Sequence, residues 1–171
     1  MHKLEIEYFP KSELQLIVKW RSDDRINKFL RQGMRLLTEI ENWYSNYFSI
    51  SENELYGIKL DGSFVGYFTI EHIDLKNRNC EFGIVIGEND LHNKGIGTTV
   101  LNRMLGKAFS QMGMHRVYAI IQDGNIASEK CFLKSGFILE GKHRESRFIN
   151  NQYIDILIYS ILENEWNSRI P

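Results

Sequence analysis

The chain changes its hydrophobic period near residue 50. Leu4, Ile6 and Tyr8 alternate with Glu5 and Glu7, which predicts a half-buried strand that Pro10 ends. Ser12 is placed to cap a short helix whose Leu14, Ile17 and Val18 fall on one face. Thr38 and Glu41 fit a T-x-x-E capping box. Behind them Ile40, Trp43, Tyr44, Tyr47 and Phe48 recur at helical spacing. The first fifty residues thus read as one strand and two or three helices. Beyond them, 55–60 and 64–73 are strand-like and flank Asp61-Gly62, a strong hairpin signal. Residues 79–86 form another strand, followed by a glycine-containing loop and a helix. That helix carries an apolar stripe of Val100, Met104, Leu105, Ala108, Phe109 and Met112. A strand over 115–121 and a helix over 125–135 follow, the helix closed by Gly136 at the position where a left-handed residue is needed. Two last strands, 137–148 and 153–162, are joined at Asn150-Asn151. Helices among mostly consecutive strands predict a mixed α/β sheet.

Composition narrows the classes. At 171 residues with 43% hydrophobic and 25% charged positions, the chain has the means to build one ordinary domain. Its 21 basic and 22 acidic residues give a net charge of −1, so no global basic field exists to hold nucleic acid or an anionic membrane. The apolar runs fall short of the roughly 18 residues a membrane helix needs, and the first residues lack the apolar core of a signal peptide. The two cysteines, Cys80 and Cys131, do not suggest a disulfide framework, which fits a reducing cytoplasm. The five histidines are scattered, so no metal site is expected.

The most informative stretch runs Leu91-His92-Asn93-Lys94-Gly95-Ile96-Gly97-Thr98, between a strand and a long amphipathic helix. The first N–H groups of a helix have no partner within it and point outward, which suits a phosphate. Gly95 and Gly97 let the backbone approach closely, while Lys94 and Thr98 add a charge and a hydroxyl. K-G-x-G by itself also describes a flexible turn. Two sharper alternatives fail: no stretch fits G-x-x-x-x-G-K-[ST], and Val100 stands where a dinucleotide fingerprint needs its third glycine.

Further motifs follow in order: Asn125-Ile126-Ala127-Ser128-Glu129-Lys130-Cys131-Phe132-Leu133-Lys134-Ser135-Gly136-Phe137, then Glu140-Gly141-Lys142-His143-Arg144, then Tyr153-Ile154-Asp155. With the K-G-x-G-T loop, this series resembles the GCN5-related N-acetyltransferase (GNAT) superfamily. The branch it is most similar to holds ribosomal-protein alanine, spermidine and flagellar aminosugar N-acetyltransferases. The match spans roughly 55–166 and is looser before it. The resemblance implies a single-domain α/β GNAT fold over 1–171. It would have a mixed, mostly antiparallel, splayed sheet of about seven strands flanked by about four helices. Acceptor-specificity helices would lie at about 12–50 and an acetyl-CoA-binding core at about 55–166.

The implied function is transfer of an acetyl group from acetyl-CoA to a primary amine, on a small molecule or a protein N-terminus, by direct attack in a ternary complex. The pyrophosphate would lie against His92, Asn93, Lys94, Gly95, Ile96, Gly97 and Thr98. The family more often has Gln or Arg at the His92 position and Gly at the Asn93 position. The backbone of Ile84, Val85 and Ile86 would bond the pantetheine arm as an added strand does, although a plain core strand looks the same in sequence. Asn125 would contact the pantetheine or cap its helix, with Ser128, Cys131 and Lys134 on the same helix as further cofactor contacts.

An ammonium is not a nucleophile, so the amine must lose a proton. Glu81, the single acid in an apolar strand, is the leading base; its bland alternative is a solvated outer-face residue. His143 and Glu145 are weaker candidates, and a water chain is another route. Many superfamily members carry a tyrosine where this chain has Phe132, which cannot donate a proton to the leaving thiolate. Ser128 is the substitute donor, or else a helix-surface residue without a role. Cys131 as a nucleophile lacks an identifiable histidine partner, so packing is the better reading.

Acceptor choice falls to Trp20-Arg21-Ser22-Asp23-Asp24-Arg25, the helix with Trp43 and Tyr47, and the Asn150-Asn151 turn. Arg21 could pair with an acceptor phosphate or carboxylate, or be a surface arginine over a core Trp20. A polyamine would want several of Asp23, Asp24, Glu39 and Glu41. The alternatives are an aminosugar-nucleotide acceptor, or a non-catalytic acyl-CoA-binding sensor. The resemblance also allows a homodimer.

Overall fold

A computed structural model describes residues 2–30, 35–47, 53–149 and 151–169. Phe48 and Asn150 therefore lie outside the described residues. The strands are β1 (Leu4–Tyr8), β2 (Glu54–Leu60), β3 (Ser63–Asp74), β4 (Asn79–Ile86), β5 (Arg116–Gln122), β6 (Ile138–Ile149) and β7 (Gln152–Leu162). Four main helices are α1 (Leu14–Arg21), α3 (Leu37–Tyr47), α4 (Ile96–Ser110) and α5 (Ile126–Lys134). The short α2 (Asp24–Asn27) and α6 (Glu163–Asn167) complete the set. The strands form a seven-stranded sheet in the order β1-β2-β3-β4-β5-β7-β6. Pairs β1/β2, β2/β3, β5/β7 and β6/β7 are antiparallel, and β4/β5 is parallel. The α/β mixed sheet expected from the sequence is the one observed.

The chain divides into two compact units, residues 1–72 with 83–94 and residues 73–82 with 95–171. The first unit is built on Phe9, Leu14, Ile17, Trp20, Ile26, Ile40, Tyr47, Leu55, Tyr67 and Val85, all buried in one cluster. The Asp61-Gly62 hairpin forms as expected: both residues have positive φ, 51° and 84°, which matches the turn to the twist of β2 and β3. In the second unit, α4 buries Val100, Leu101, Met104, Leu105, Ala108 and Phe109. Val117, Ala119 and Ile121 of β5 are buried in strict alternation. Gly136 takes a left-handed φ of 96° just past α5, the stop its position predicts.

Three local expectations differ. Ser12 does not cap α1: a 3-10 turn over Lys11–Glu13 leads in, and no side chain caps either element. The carboxylate at the start of α3 is Glu39, not Glu41, and it accepts from the Arg35 and Leu36 N–H groups at 2.9 Å each. Thr38 lies inside the helix, which begins at Leu37, so the cap falls about two residues earlier than the motif suggested. Met112 lies beyond the end of α4 at Ser110, so the apolar stripe closes at Phe109. The helix α6 was not foreseen; the Leu162 N–H donates to Glu165 Oε2 at 2.8 Å as it begins.

Candidate active site

In the first unit, the chain leaves β4 through Gly87, whose missing side chain is a packing requirement. A Cβ there would meet the Trp20 ring at 2.2 Å. Glu88 accepts from the Lys19 ammonium at 2.7 Å and from the Trp20 indole N–H at 2.9 Å. These donors hold the Glu88 carboxyl below its ordinary value. A 3-10 turn, Asn89–Leu91, comes next. His92 then bonds back to the Ile86 carbonyl through Nε2 at 2.8 Å. A carbonyl can only accept, so Nε2 carries a proton in this bond. Asn93 has a φ of 61°, and Asn93 and Lys94 are exposed. Ile84 and Ile86 are half-buried and Val85 is buried. Gly66 lets β3 come close here, since a Cβ on it would lie 2.2 Å from the Val85 carbonyl oxygen.

At the end of α1 in the same unit, Arg21 is buried rather than superficial, 7% exposed. Its guanidinium lies 5.7 Å from the Trp43 ring centre, and its Nε donates to the Tyr67 hydroxyl at 3.4 Å. Trp20 is a core residue, 1% exposed. Asp23 caps α2 through the Arg25 N–H and takes the Arg25 guanidinium, while Asp24 pairs with Arg35.

In the second unit, Gly95 is the N-cap of α4 with φ 80°, and no side chain caps this helix. A Cβ at Gly95 would have nothing within 4 Å, so protein does not crowd the helix entrance at this residue. Ile96, Gly97 and Thr98 form the first turn. Thr98 Oγ1 lies 3.6 Å from Cys131 Sγ, which brings the start of α4 beside α5. Burial pushes the Cys131 thiol up, which disfavours the thiolate and supports packing over nucleophilic chemistry. Asn125 is the N-cap of α5 and accepts from the Ser128 N–H at 3.3 Å. Ser128 is half-buried and Lys134 exposed.

Phe132 is 2% exposed and meets Phe137 edge-on, with ring centres 4.8 Å apart. Glu81 is 5% exposed, so the solvated alternative for this strand acid does not hold. Its position ends the ladder with β5: the register pairs run from Asn79↔Arg116 to Glu81↔Tyr118, while β4 continues to Ile86. His143 and Glu145 are exposed on β6, at the register shift between His143 and Arg147. Asp155 of the Y-x-D motif accepts from the Glu145 N–H at 2.7 Å and the Lys142 ammonium at 3.1 Å. Lys19, Glu88 and Asn89 were missed by sequence reasoning, because each is an ordinary surface-type residue whose partner is distant in the chain.

A mixed seven-stranded sheet with a helix that begins at a left-handed glycine after its fourth strand is the architecture the motif resemblance implied. The sequence agrees: residues 3–138 match the family model described as "Acetyltransferase (GNAT) domain". The chain belongs to the GNAT acetyltransferases and is an acetyltransferase enzyme. Over 129 residues it is 31% identical to the putative ribosomal N-acetyltransferase YdaF of Bacillus subtilis, covering 75% of this chain and 69% of that protein. It is 25% identical over 169 residues to a spermidine N(1)-acetyltransferase of Vibrio cholerae, covering 98% and 97% of the two chains. The crystal structure of a Vibrio cholerae spermidine N-acetyltransferase in complex with CoA and spermine superposes with a TM-score of 0.87 at 22% identity. It covers 96% of this chain and 98% of that one. Among the described residues no helix is long and apolar enough to cross a membrane.

Proposed function

We propose that this enzyme takes its acetyl group from acetyl-CoA and passes it to a primary amine of a small molecule or a protein N-terminus. One observation carries the reading: α4 begins at a left-handed glycine with no side-chain cap and open space where a Cβ would be. Three amides at the head of a fifteen-residue helix are thereby left for a diphosphate. Lys94 and Thr98 supply a charge and a hydroxyl on either side of Gly95, while the His92 ring, bonded to the Ile86 carbonyl, holds the loop that precedes them. The β4 backbone at Ile84, Val85 and Ile86 bonds the pantetheine arm, and Asn125, Ser128, Cys131 and Lys134 are further cofactor contacts in this reading, as the family resemblance implies. That the β4/β5 ladder ends at Glu81 supports this placement.

In the reaction so read, Glu81 takes the proton from the ammonium, directly or through water. The amine nitrogen then attacks the thioester carbonyl, whose developing oxyanion is held by a β4 amide. The C–S bond breaks as the carbonyl re-forms; the Ser128 hydroxyl gives the leaving sulfur its proton and is restored by the second proton that leaves the acylated nitrogen, directly or through water. The chain works as one N-acetyltransferase domain.

Of the four carboxylates that a polyamine would use, three have partners within the fold. Asp23 is held by Arg25, Asp24 by Arg35, and Glu39 by the Arg35 and Leu36 N–H groups just ahead of α3. That favours an acceptor with a single amine over a polyamine. Titration calorimetry with acetyl-CoA tests the donor, with saturable heat expected and no heat at millimolar ligand defeating the reading. A thiol-release screen across N-terminal peptides, aminosugars and polyamines then ranks the acceptors.

A further inference from the structure

The segment between β4 and Lys94 is held by side chains rather than by a ladder. Its backbone hydrogen bonds after Gly87 are the two of a single 3-10 turn, Leu91 N–H to Glu88 and His92 N–H to Asn89. Two of the next residues, Asn93 and Gly95, have left-handed φ values of 61° and 80°, so the path is a sharply folded one. Such a path keeps its direction only if something outside it fixes the turn.

That fixture is the corner between α1 and α2. Asn89 Nδ2 donates to Asp23 Oδ2 at 2.8 Å, and Asp23 is itself immobilised as the α2 cap and by Arg25. Next to it, Glu88 receives Lys19 and Trp20 from the last turn of α1. The Trp20 ring fills the space that Gly87 leaves open. The corner held in this way, 20–25, is the stretch to which acceptor choice was assigned above.

We propose that Asn89 is a positioning residue: its bond to Asp23 fixes the turn that aims the donor-binding loop, and so ties donor affinity to the acceptor-side corner. The donor part of this inference rests on the function proposed above.

Asn89→Asp tests it, because two carboxylates would then face each other across a hydrogen-bond distance. Asp23→Asn together with Asn89→Asp re-forms the bond with donor and acceptor exchanged; the Asn oxygen still caps α2, and the Arg25 guanidinium, which gives up its contact with Oδ2, is exposed and free to turn to solvent or to the new carboxylate. The single Asn89→Asp variant is expected to raise the KM for acetyl-CoA about tenfold, as befits a lost bond to a charged group, with kcat within about twofold. The double variant is expected to return KM to within about twofold of the parent. Hydrogen–deuterium exchange of the 88–94 peptide, read without any ligand, is expected to quicken in the single variant and recover in the double. Unchanged exchange, or loss without recovery in the exchanged pair, overturns the proposal. If the parent fails to bind acetyl-CoA, the donor reading falls, while the exchange measurement still decides whether Asn89 holds the turn.

Discussion

Gly95 is a residue on which the fold and the proposed donor site make separate demands. Its φ of 80° costs any residue with a Cβ about 1–2 kcal/mol, yet that Cβ would meet no protein atom within 4 Å. Gly95→Glu should therefore fold with a small loss of stability. It should lose at least tenfold in CoA affinity, because a carboxylate would occupy the place of the diphosphate; an unchanged Kd in calorimetry would remove the loop from the site. Glu81 makes a second test at this scale. Glu81→Gln keeps the shape of a buried side chain and removes its ability to take a proton. If Glu81 is the base, kcat falls by about 10²–10⁴ while CoA affinity holds; an unaltered kcat would hand proton removal to another group. Both residues were legible in the sequence, Gly95 from the K-G-x-G spacing and Glu81 as the one acid of an apolar strand. The burial of Arg21 was not, since an arginine after a tryptophan reads equally as a surface residue.

Among elements, the sequence is strong on existence and weak on ends. Every β-strand was foreseen within a residue or two, because alternation and turn residues recur along its length. The caps were misjudged where several residues could serve. Ser12 lost its role to the 3-10 turn that follows Pro10, and Glu39 rather than Glu41 reaches back to the amides just ahead of α3. Capping is a contest between neighbours decided by the direction from which the chain arrives, and that direction is a tertiary property. The exit from β4 depends on packing in the same way. Gly87→Ala would drive a methyl into the Trp20 ring, which is 1% exposed and has nowhere to move. A destabilisation of about 1–3 kcal/mol is expected in a urea titration. A variant as stable as the parent would show that α1 can shift away from β4.

At the scale of the molecule, carboxylates below their ordinary values occur in both units. In the first, Asp23 is lowered by the Arg25 guanidinium and Asn89, and Glu88 by Lys19 and Trp20. In the second, Asp74 is lowered by the Asn77 amides and Asp155 by the Glu145 N–H and Lys142. A lowered folded-state value stabilises the protein above the unfolded-state values, 3.8 for Asp and 4.5 for Glu, and the gain disappears as pH falls through the folded-state value. Thermal stability should thus be insensitive to these groups from pH 7 to about 5 and fall steadily below about 4.5. Melting curves that rise between pH 4.5 and 3 would contradict the pairings.

The sequence by itself determined the strands, the main helices, the glycine loop ahead of α4 and the family, because each is written in local periodicity or in motifs of fixed spacing. Only the tertiary structure decided that Glu81 and Arg21 are buried, that Phe132 lies edge-on to Phe137, and that Asn89 meets Asp23. Burial and pairing of that kind join residues far apart along the chain, and a pattern confined to neighbours carries no record of which distant side chain will stand opposite.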